Sequence, residues 1–261
     1  MTLYNTELNN AFQSKRILKI ITGINNTNLN NIIKIAKAAN LSQATYLDVV
    51  ANVNLVKILK SFSKLPICVS SINPIDLYNC VLAGADLVEV GNYDFFYNKG
   101  IYLTAAEVLN LTLEVKSLIQ NIDICVTIPY HISLFEQISL SKELELIGIT
   151  LIQTEGISRF YTPDLMISTV STLNSVDTSV PSLLSTYFLS QSVNIPIIAS
   201  SGFNNITAPM AYQYGASGIG IGASIQSHSS ITSISKYINQ TYQLMNSTCK
   251  LKANSCESNI I

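Results

Sequence analysis

The chain has 261 residues, of which 48% are hydrophobic and only 12% charged, with a formal net charge of −1. Its pI is about 6.1 and its mean hydropathy +0.33, which excludes a disordered chain and leaves no basic footprint for nucleic acid. The length suffices for a large core, as one α/β domain or two smaller ones.

Short apolar runs alternate with longer runs of helical period along the chain. ILKIITG (Ile17 to Gly23) precedes LNNIIKIAKAA, YLDVVA (Tyr46 to Ala51) precedes NLVKILKSF, and PICVSS (Pro66 to Ser71) precedes PIDLYNCVLAGA. DLVEVGN (Asp86 to Asn92) leads through an aromatic loop to TAAEVLNLTLEVKSLI, and DICVTIP (Asp123 to Pro129) leads to LFEQISLSKELELI. ITLIQTEG (Ile149 to Gly156) opens a longer polar stretch that ends in VPSLLSTYFLS. Two last runs lie in IPIIASSGFNNITAPMAYQYGASGIGIGASI (Ile195 to Ile225), before a final helix over about Ser229 to Met245. Pro74, Thr104 and Thr207 mark helix starts, since proline suits the first turn and threonine caps free amides.

Eight units of about 30 residues predict an α/β fold of the TIM-barrel type, (β/α)8, at its usual length of about 250 residues. Strands apolar on both faces fit a parallel sheet covered by helices. An open doubly wound sheet stays the alternative, because periodicity shows neither strand order nor closure. One domain over 1–246 is expected. Residues 157–194, too long for a simple crossover, read as a partly lid-like segment carrying Arg159 and Tyr161, a short helix near Asp164 to Leu173, and the Thr/Ser-rich STLNSVDTSVP. The patternless tail, 247–261, is expected to fray.

In such barrels the loops after strands 7 and 8 frequently hold phosphate on backbone amides. Here those strands end in ASSG (Ala199 to Gly202) and GIGAS (Gly220 to Ser224). Glycine lets main chain approach an anion closely, so Ser201, Gly202, Gly220, Gly222, Ala223 and Ser224 are the candidate phosphate-binding residues. The competing reading is that Gly218, Gly220 and Gly222 only relieve crowding in the closing strand. The run lacks the third glycine and the chain position of a dinucleotide fingerprint.

Several strands carry a charge where an apolar residue packs better: Lys19, Asp48, Glu89 and, at the end of the sixth, Glu155. Buried charges must converge and pair. They form either a structural ionic plug or an acid/base set beneath the phosphate, moving a proton next to a carbonyl or between faces of a sugar carbon. His131, just past the fifth strand, is a further candidate acid. Ser70, Asn92, Thr127, Gln153 and Arg159 complete the expected substrate contacts, Arg159 as a bidentate clamp. The aromatic run YDFFY (Tyr93 to Tyr97) either stacks on a ring or walls a dimer contact.

No run approaches the roughly 18–20 apolar residues of a membrane-spanning helix. The opening MTLYNTELNNAF resembles neither a secretory signal nor a transit peptide, so the protein is expected to work where it is made. The five cysteines show no C-x-x-C and the histidines are two, which reads as reduced structural thiols and no metal site.

DLVEVGNYDFFYNKG, VTIPY, IQTEG and IIASSGFNNITAPMAYQYGASGIGIGASI together resemble a family of plastid-encoded proteins, the hypothetical chloroplast open reading frame twenty-three family, from about Ile17 to the last helix. The resemblance implies an aldolase-type TIM barrel in the plastid stroma and brings no settled activity. Barrels it looks like include phosphosugar epimerases and lyases, thiamine-phosphate synthases and flavin mononucleotide (FMN) enzymes. The sixth-strand lysine of Schiff-base aldolases has no match in ITLIQTEG. Three readings follow: an isomerase, epimerase or lyase acting on a phosphorylated small molecule; a non-catalytic metabolite-binding or regulatory barrel; and an FMN enzyme. A homodimer is the expected assembly.

Overall fold

The computed structural model describes residues 3–14, 16–23, 26–91, 93–97, 99–157 and 173–257. Eight parallel strands close on one another in chain order, β1 against β2 and so on round to β8 against β1. They are β1 (Ile17–Ile21), β2 (Tyr46–Val50), β3 (Ile67–Ser71), β4 (Leu87–Val90), β5 (Asp123–Ile128), β6 (Leu151–Thr154), β7 (Ile197–Ala199) and β8 (Gly218–Ile221). Closure decides between the barrel and the open sheet: Lys19 on β1 stands opposite both Tyr46 on β2 and Gly220 on β8.

The outer helices are α2 (Leu29–Asn40), α3 (Val53–Lys60), α4 (Pro74–Leu82), α6 (Ala105–Leu118), α7 (Leu134–Leu146), α8 (Leu173–Ser190), α9 (Ala208–Gln213) and α11 (Ile231–Glu257). Their first amides are satisfied locally. Asn28, Asn52, Asn73, Thr104 and Ser133 each accept a main-chain N–H within the first turn. Thr104 with Glu107 and Ser133 with Glu136 complete capping boxes, which hold both glutamate carboxyls below their ordinary range through the hydrogen bonds they accept. The apolar faces of the helices and the outward side chains of the strands, such as Leu18, Leu47, Val69, Val88, Val126 and Ile152, form the main core.

Three elements depart from expectation. The N-terminal segment forms a helix, α1 (Thr6–Gln13), that places Leu8 and Phe12 against Ile17, Tyr46, Cys68, Leu87, Cys125, Leu151 and Ile198, closing the bottom of the barrel. The Asp123 carboxylate fixes the plug by accepting the main-chain N–H groups of Tyr4 and Asn5 at 3.1 and 3.0 Å. The Thr/Ser-rich run from Leu173 onward is helical and joins α8, Pro181 included, because its buried Ser179, Ser182 and Thr186 lie on the core side. The last helix continues past Met245 to Glu257, so the backbone there is helical where the sequence pattern suggested fraying. The expected short helix near Asp164, and Tyr161, lie outside the described residues.

Candidate functional site

Alternation along the strands points Lys19, Asp48, Ser70, Glu89, Thr127 and Gln153 into the barrel, and they meet in one buried layer. Lys19, Asp48 and Glu89 are 0%, 1% and 0% exposed. The Lys19 ammonium donates to Glu89 Oε2 and, at 2.8 Å, to Gln153 Oε1; it also lies 2.9 Å from Asp48 Oδ2. That last contact is an ion pair, and among the described residues Asp48 Oδ2 has no partner in hydrogen-bond geometry. Asp48 Oδ1 accepts the Ser70 hydroxyl. Glu89 Oε1 accepts Thr127 Oγ1 at 3.0 Å and Gln153 Nε2 at 2.8 Å.

Burial alone would push the Lys19 ammonium down, yet the adjacent Asp48 and Glu89 carboxylates outweigh it and hold it well above its ordinary value. Burial raises the Asp48 carboxyl to about 6, against the pull of Lys19 and with Glu89 adding to the rise. Two carboxylates share one cation, so the charge on Glu89 adds to the burial that raises the Asp48 carboxyl. The Cys68 and Cys125 thiols below this layer are pushed up by burial, so they stay protonated and are not nucleophiles. Ser70, Thr127 and Gln153, expected as substrate contacts, hydrogen-bond within the ionic layer.

The mouth lies one inward position above it. Glu155 follows β6, is buried, and accepts the Tyr97 hydroxyl at 2.7 Å and the Tyr130 main-chain N–H at 3.3 Å. Tyr97 ends the one-turn helix α5 (Asp94–Tyr97) after β4. Its ring stacks on Tyr102 and meets Tyr130 and His131 edge-on, with centroids 5.3, 5.3 and 5.4 Å away. His131 Nε2 sits 3.1 Å from the Leu103 carbonyl oxygen. Burial lowers the imidazole pKa, so the ring is neutral near pH 7. Tyr97 was not foreseen as a site residue. The signal was the position of YDFFY directly after a strand end, where a barrel places its mouth.

Across the mouth, Ser201 and Gly202 both adopt positive φ, 70° and 75°. A side chain at Gly202 would stand 2.5 Å from Thr178 Oγ1 and 2.9 Å from Ser179 N. Ser201 is not a glycine, so its left-handed conformation carries strain of the kind that collects at binding sites. Gly222 precedes the one-turn helix α10 (Ala223–Gln226), and Ser224 Oγ donates to the Phe203 carbonyl at 3.3 Å, tying the two rims together. Among the described residues, no main-chain carbonyl accepts from the N–H groups of Ser201, Gly202, Gly222, Ala223 or Ser224. Gly220 differs from these. It lies within β8, where a side chain would stand 2.8 Å from Ser200 Oγ and 3.0 Å from Ile21 Cδ1, so there the crowding explanation holds. Asn92 and Arg159 lie outside the described residues. Among the described residues no helix is long and apolar enough to cross a membrane, and no group of three His, Cys, Asp or Glu is placed to hold a metal ion.

The family model described as "Protein of unknown function (DUF561)" matches residues 3–251. "Uncharacterized protein ycf23" of Antithamnion sp. is 45% identical over 244 residues, covering 92% of this chain and 88% of that protein. The chain belongs to the ycf23 family. Other ycf23 proteins include that of Cyanophora paradoxa, 37% identical over 90% of this chain and 95% of its own. Solved structures similar to this ycf23 chain share its fold at low identity. The (S)-3-O-geranylgeranylglyceryl phosphate synthase of Thermoplasma acidophilum, in complex with sn-glycerol-1-phosphate, has a TM-score of 0.62 at 10% identity, covering 94% of this chain and 98% of its own. The 3-hexulose-6-phosphate synthase of Salmonella typhimurium has 0.62 at 12%, covering 88% and 99%. The thiamine phosphate pyrophosphorylase of Pyrococcus furiosus has 0.58 at 16%, covering 90% and 97%.

Proposed function

We propose that this ycf23 protein binds a small phosphorylated metabolite at the C-terminal mouth of its barrel, in the plastid stroma. Family membership supports the plastid location. The phosphate lies between the loops after β7 and β8. The observation that carries this reading is the set of main-chain N–H groups at Ser201, Gly202 and Gly222 with no main-chain acceptor among the described residues, on rims joined by the Ser224–Phe203 hydrogen bond. Phosphate is held this way in many barrels, without a basic side chain. The three fold-similar proteins cited above are each named for a phosphate ester, in keeping with this reading.

Two functions differ in what the polar groups do. In the enzymatic one, proton transfer of the isomerase, epimerase or lyase kind uses Glu155 and His131 at the mouth, with Lys19, Asp48 and Glu89 setting the field beneath. In the other, the barrel binds and does no chemistry; the complete enclosure of Lys19 by Asp48, Glu89 and Gln153 favours it for the interior layer. Thermal shift and calorimetry with inorganic phosphate test the site itself. Millimolar phosphate raises the melting temperature of the wild type and has no such effect on a Gly222→Val chain, whose new side chain would crowd Ile21 from 3.2–3.6 Å. Indifference of the wild type to phosphate would remove the reading. Glu155→Gln then separates the two functions, since it abolishes turnover in the first and leaves phosphate binding in place in both.

A further inference from the structure

A surface helix ordinarily buries apolar residues and shows polar ones to water. On α8 much of this is reversed. Beside Leu183 and Leu189, its core side buries Ser179, Ser182, Ser185 and Thr186. Ser182 and Thr186 share hydrogen bonds with Thr154 on β6 at 2.9 and 2.8 Å, and Ser185 donates to Gln137 on α7. The outward side carries Val180, Leu184, Tyr187 and Phe188, at helical spacing and 47%, 44%, 44% and 38% exposed. Tyr214, directly after α9 and 36% exposed, continues the patch. Its ring centroid lies 6.2 Å from that of Tyr187, which in turn lies 5.4 Å from Phe188.

The same sector is free of charge. From Thr178 to Ser235 the sequence contains no Asp, Glu, Lys or Arg, so all 16 acidic and 15 basic residues lie elsewhere. The exposed Phe135 and Leu146 of α7, by contrast, share their helix with Glu136, Lys142, Glu143 and Glu145. At roughly 200 Å² for a fully exposed residue of this size, the five α8–α9 residues leave about 400 Å² open to water. A standard-size interface takes about 800 Å² from each partner, a little over half of it apolar. The patch therefore supplies most of the apolar share.

We propose that the α8–α9 face is the contact between two copies of this chain, related by a two-fold axis. Near such an axis each side chain meets its own copy, so any charge there would face its like. A sector without charge meets itself at no such cost, whereas a partner recognised by charge would need opposite charges that this sector lacks. The inference is independent of the phosphate reading.

Sedimentation equilibrium of the full chain at about 1–50 μM, a range suited to an interface of this size, gives twice the 28.5 kDa of one chain. Leu184→Glu and Tyr187→Glu each set like charges across the axis and weaken the dimer about a hundredfold or more. Leu184→Ser removes apolar surface alone and weakens it about tenfold; it decides the matter should a glutamate unfold the chain by circular dichroism. Leu82→Glu, also at an exposed position but three units away on α4, leaves the dimer intact. The wild-type dimer is as tight in about 0.5 M salt as in about 0.05 M, since no charge pair holds it. A wild type that stays at 28.5 kDa throughout, a dimer loosened by salt, or one untouched by Leu184→Ser and the folded glutamate variants overturns the inference.

Discussion

At mid-barrel, Lys19 is enclosed by Asp48, Glu89 and Gln153, and their hydrogen bonds run back into the same layer through Ser70 and Thr127. One inward position higher, Glu155 takes a tyrosine hydroxyl, His131 Nδ1 has no hydrogen-bond partner among the described residues, and two consecutive residues of the β7 loop are held at positive φ. The lower layer is fully buried and pairs mainly within itself. The upper one has main-chain N–H groups at Ser201, Gly202 and Gly222 with no main-chain acceptor among the described residues. Both consist of polar residues on a barrel wall, and strand alternation alone would treat them alike. Only the difference in pairing separates a layer that governs stability from a layer suited to recognition.

The sharpest way to break this contrast is to remove the cation. Lys19→Met leaves two buried carboxylates facing each other and costs about 3–5 kcal/mol, read from urea unfolding near pH 7. A loss below about 1 kcal/mol would show that the layer is not the closed ionic plug described here.

Asp48 gives a pH test of the same layer, and its sign is the reverse of an ordinary salt-bridged carboxylate. Its folded pKa, about 6, lies above its usual value of 3.8. The native state therefore binds the proton more tightly, and the contribution of Asp48 to stability is lost as pH rises from about 4 to about 6. At about 1.4 kcal/mol per unit, the difference in unfolding free energy between wild type and Asp48→Asn falls by about 3 kcal/mol across that window. In the Asn variant Lys19 keeps Glu89 as a one-to-one partner. A difference that stays flat from pH 4 to 6 would mean that Asp48 is ionised throughout.

At the mouth the effects on stability are smaller and those on binding larger. Gly202→Ala places a methyl group against Thr178 and Ser179 at positive φ. It costs about 1–3 kcal/mol and weakens the phosphate-induced rise in melting temperature; a neutral outcome in both would detach the loop from the proposed anion site. Tyr97→Phe removes one donor from Glu155 and costs only about 1 kcal/mol in urea. An effect as large as that of Lys19→Met would put Glu155 in the structural layer rather than the recognition layer.

Much of this was legible in the chain. The eight apolar runs, the helix starts at Pro74 and Thr104, and the charges on β1, β2 and β4 follow from periodicity and from the rule that buried charges pair, whereas Thr207, read as a third cap, makes no side-chain cap bond. The glycines closing β8 were harder to read, because a glycine that admits a neighbour and one that admits a ligand look the same in sequence. Gly220 proves to be the first kind, crowded by Ser200 and Ile21. The plug helix α1 was missed because its only strong signals, Leu8 and Phe12, are too few to show a period. Tyr97 was seen only as part of an aromatic run, since its partner Glu155 lies 58 positions away.

The sequence by itself determined the repeating units, their helix starts and the set of charges that had to meet, because spacing and the cost of burying a charge are local or global constraints that need no coordinates. The tertiary structure decided closure of the sheet, the sharing of Lys19 between Asp48 and Glu89, and the contact of His131 Nε2 with the Leu103 carbonyl. Each of these depends on distances between strands far apart in the chain, and a hydrogen bond is made or lost within a few tenths of an ångström.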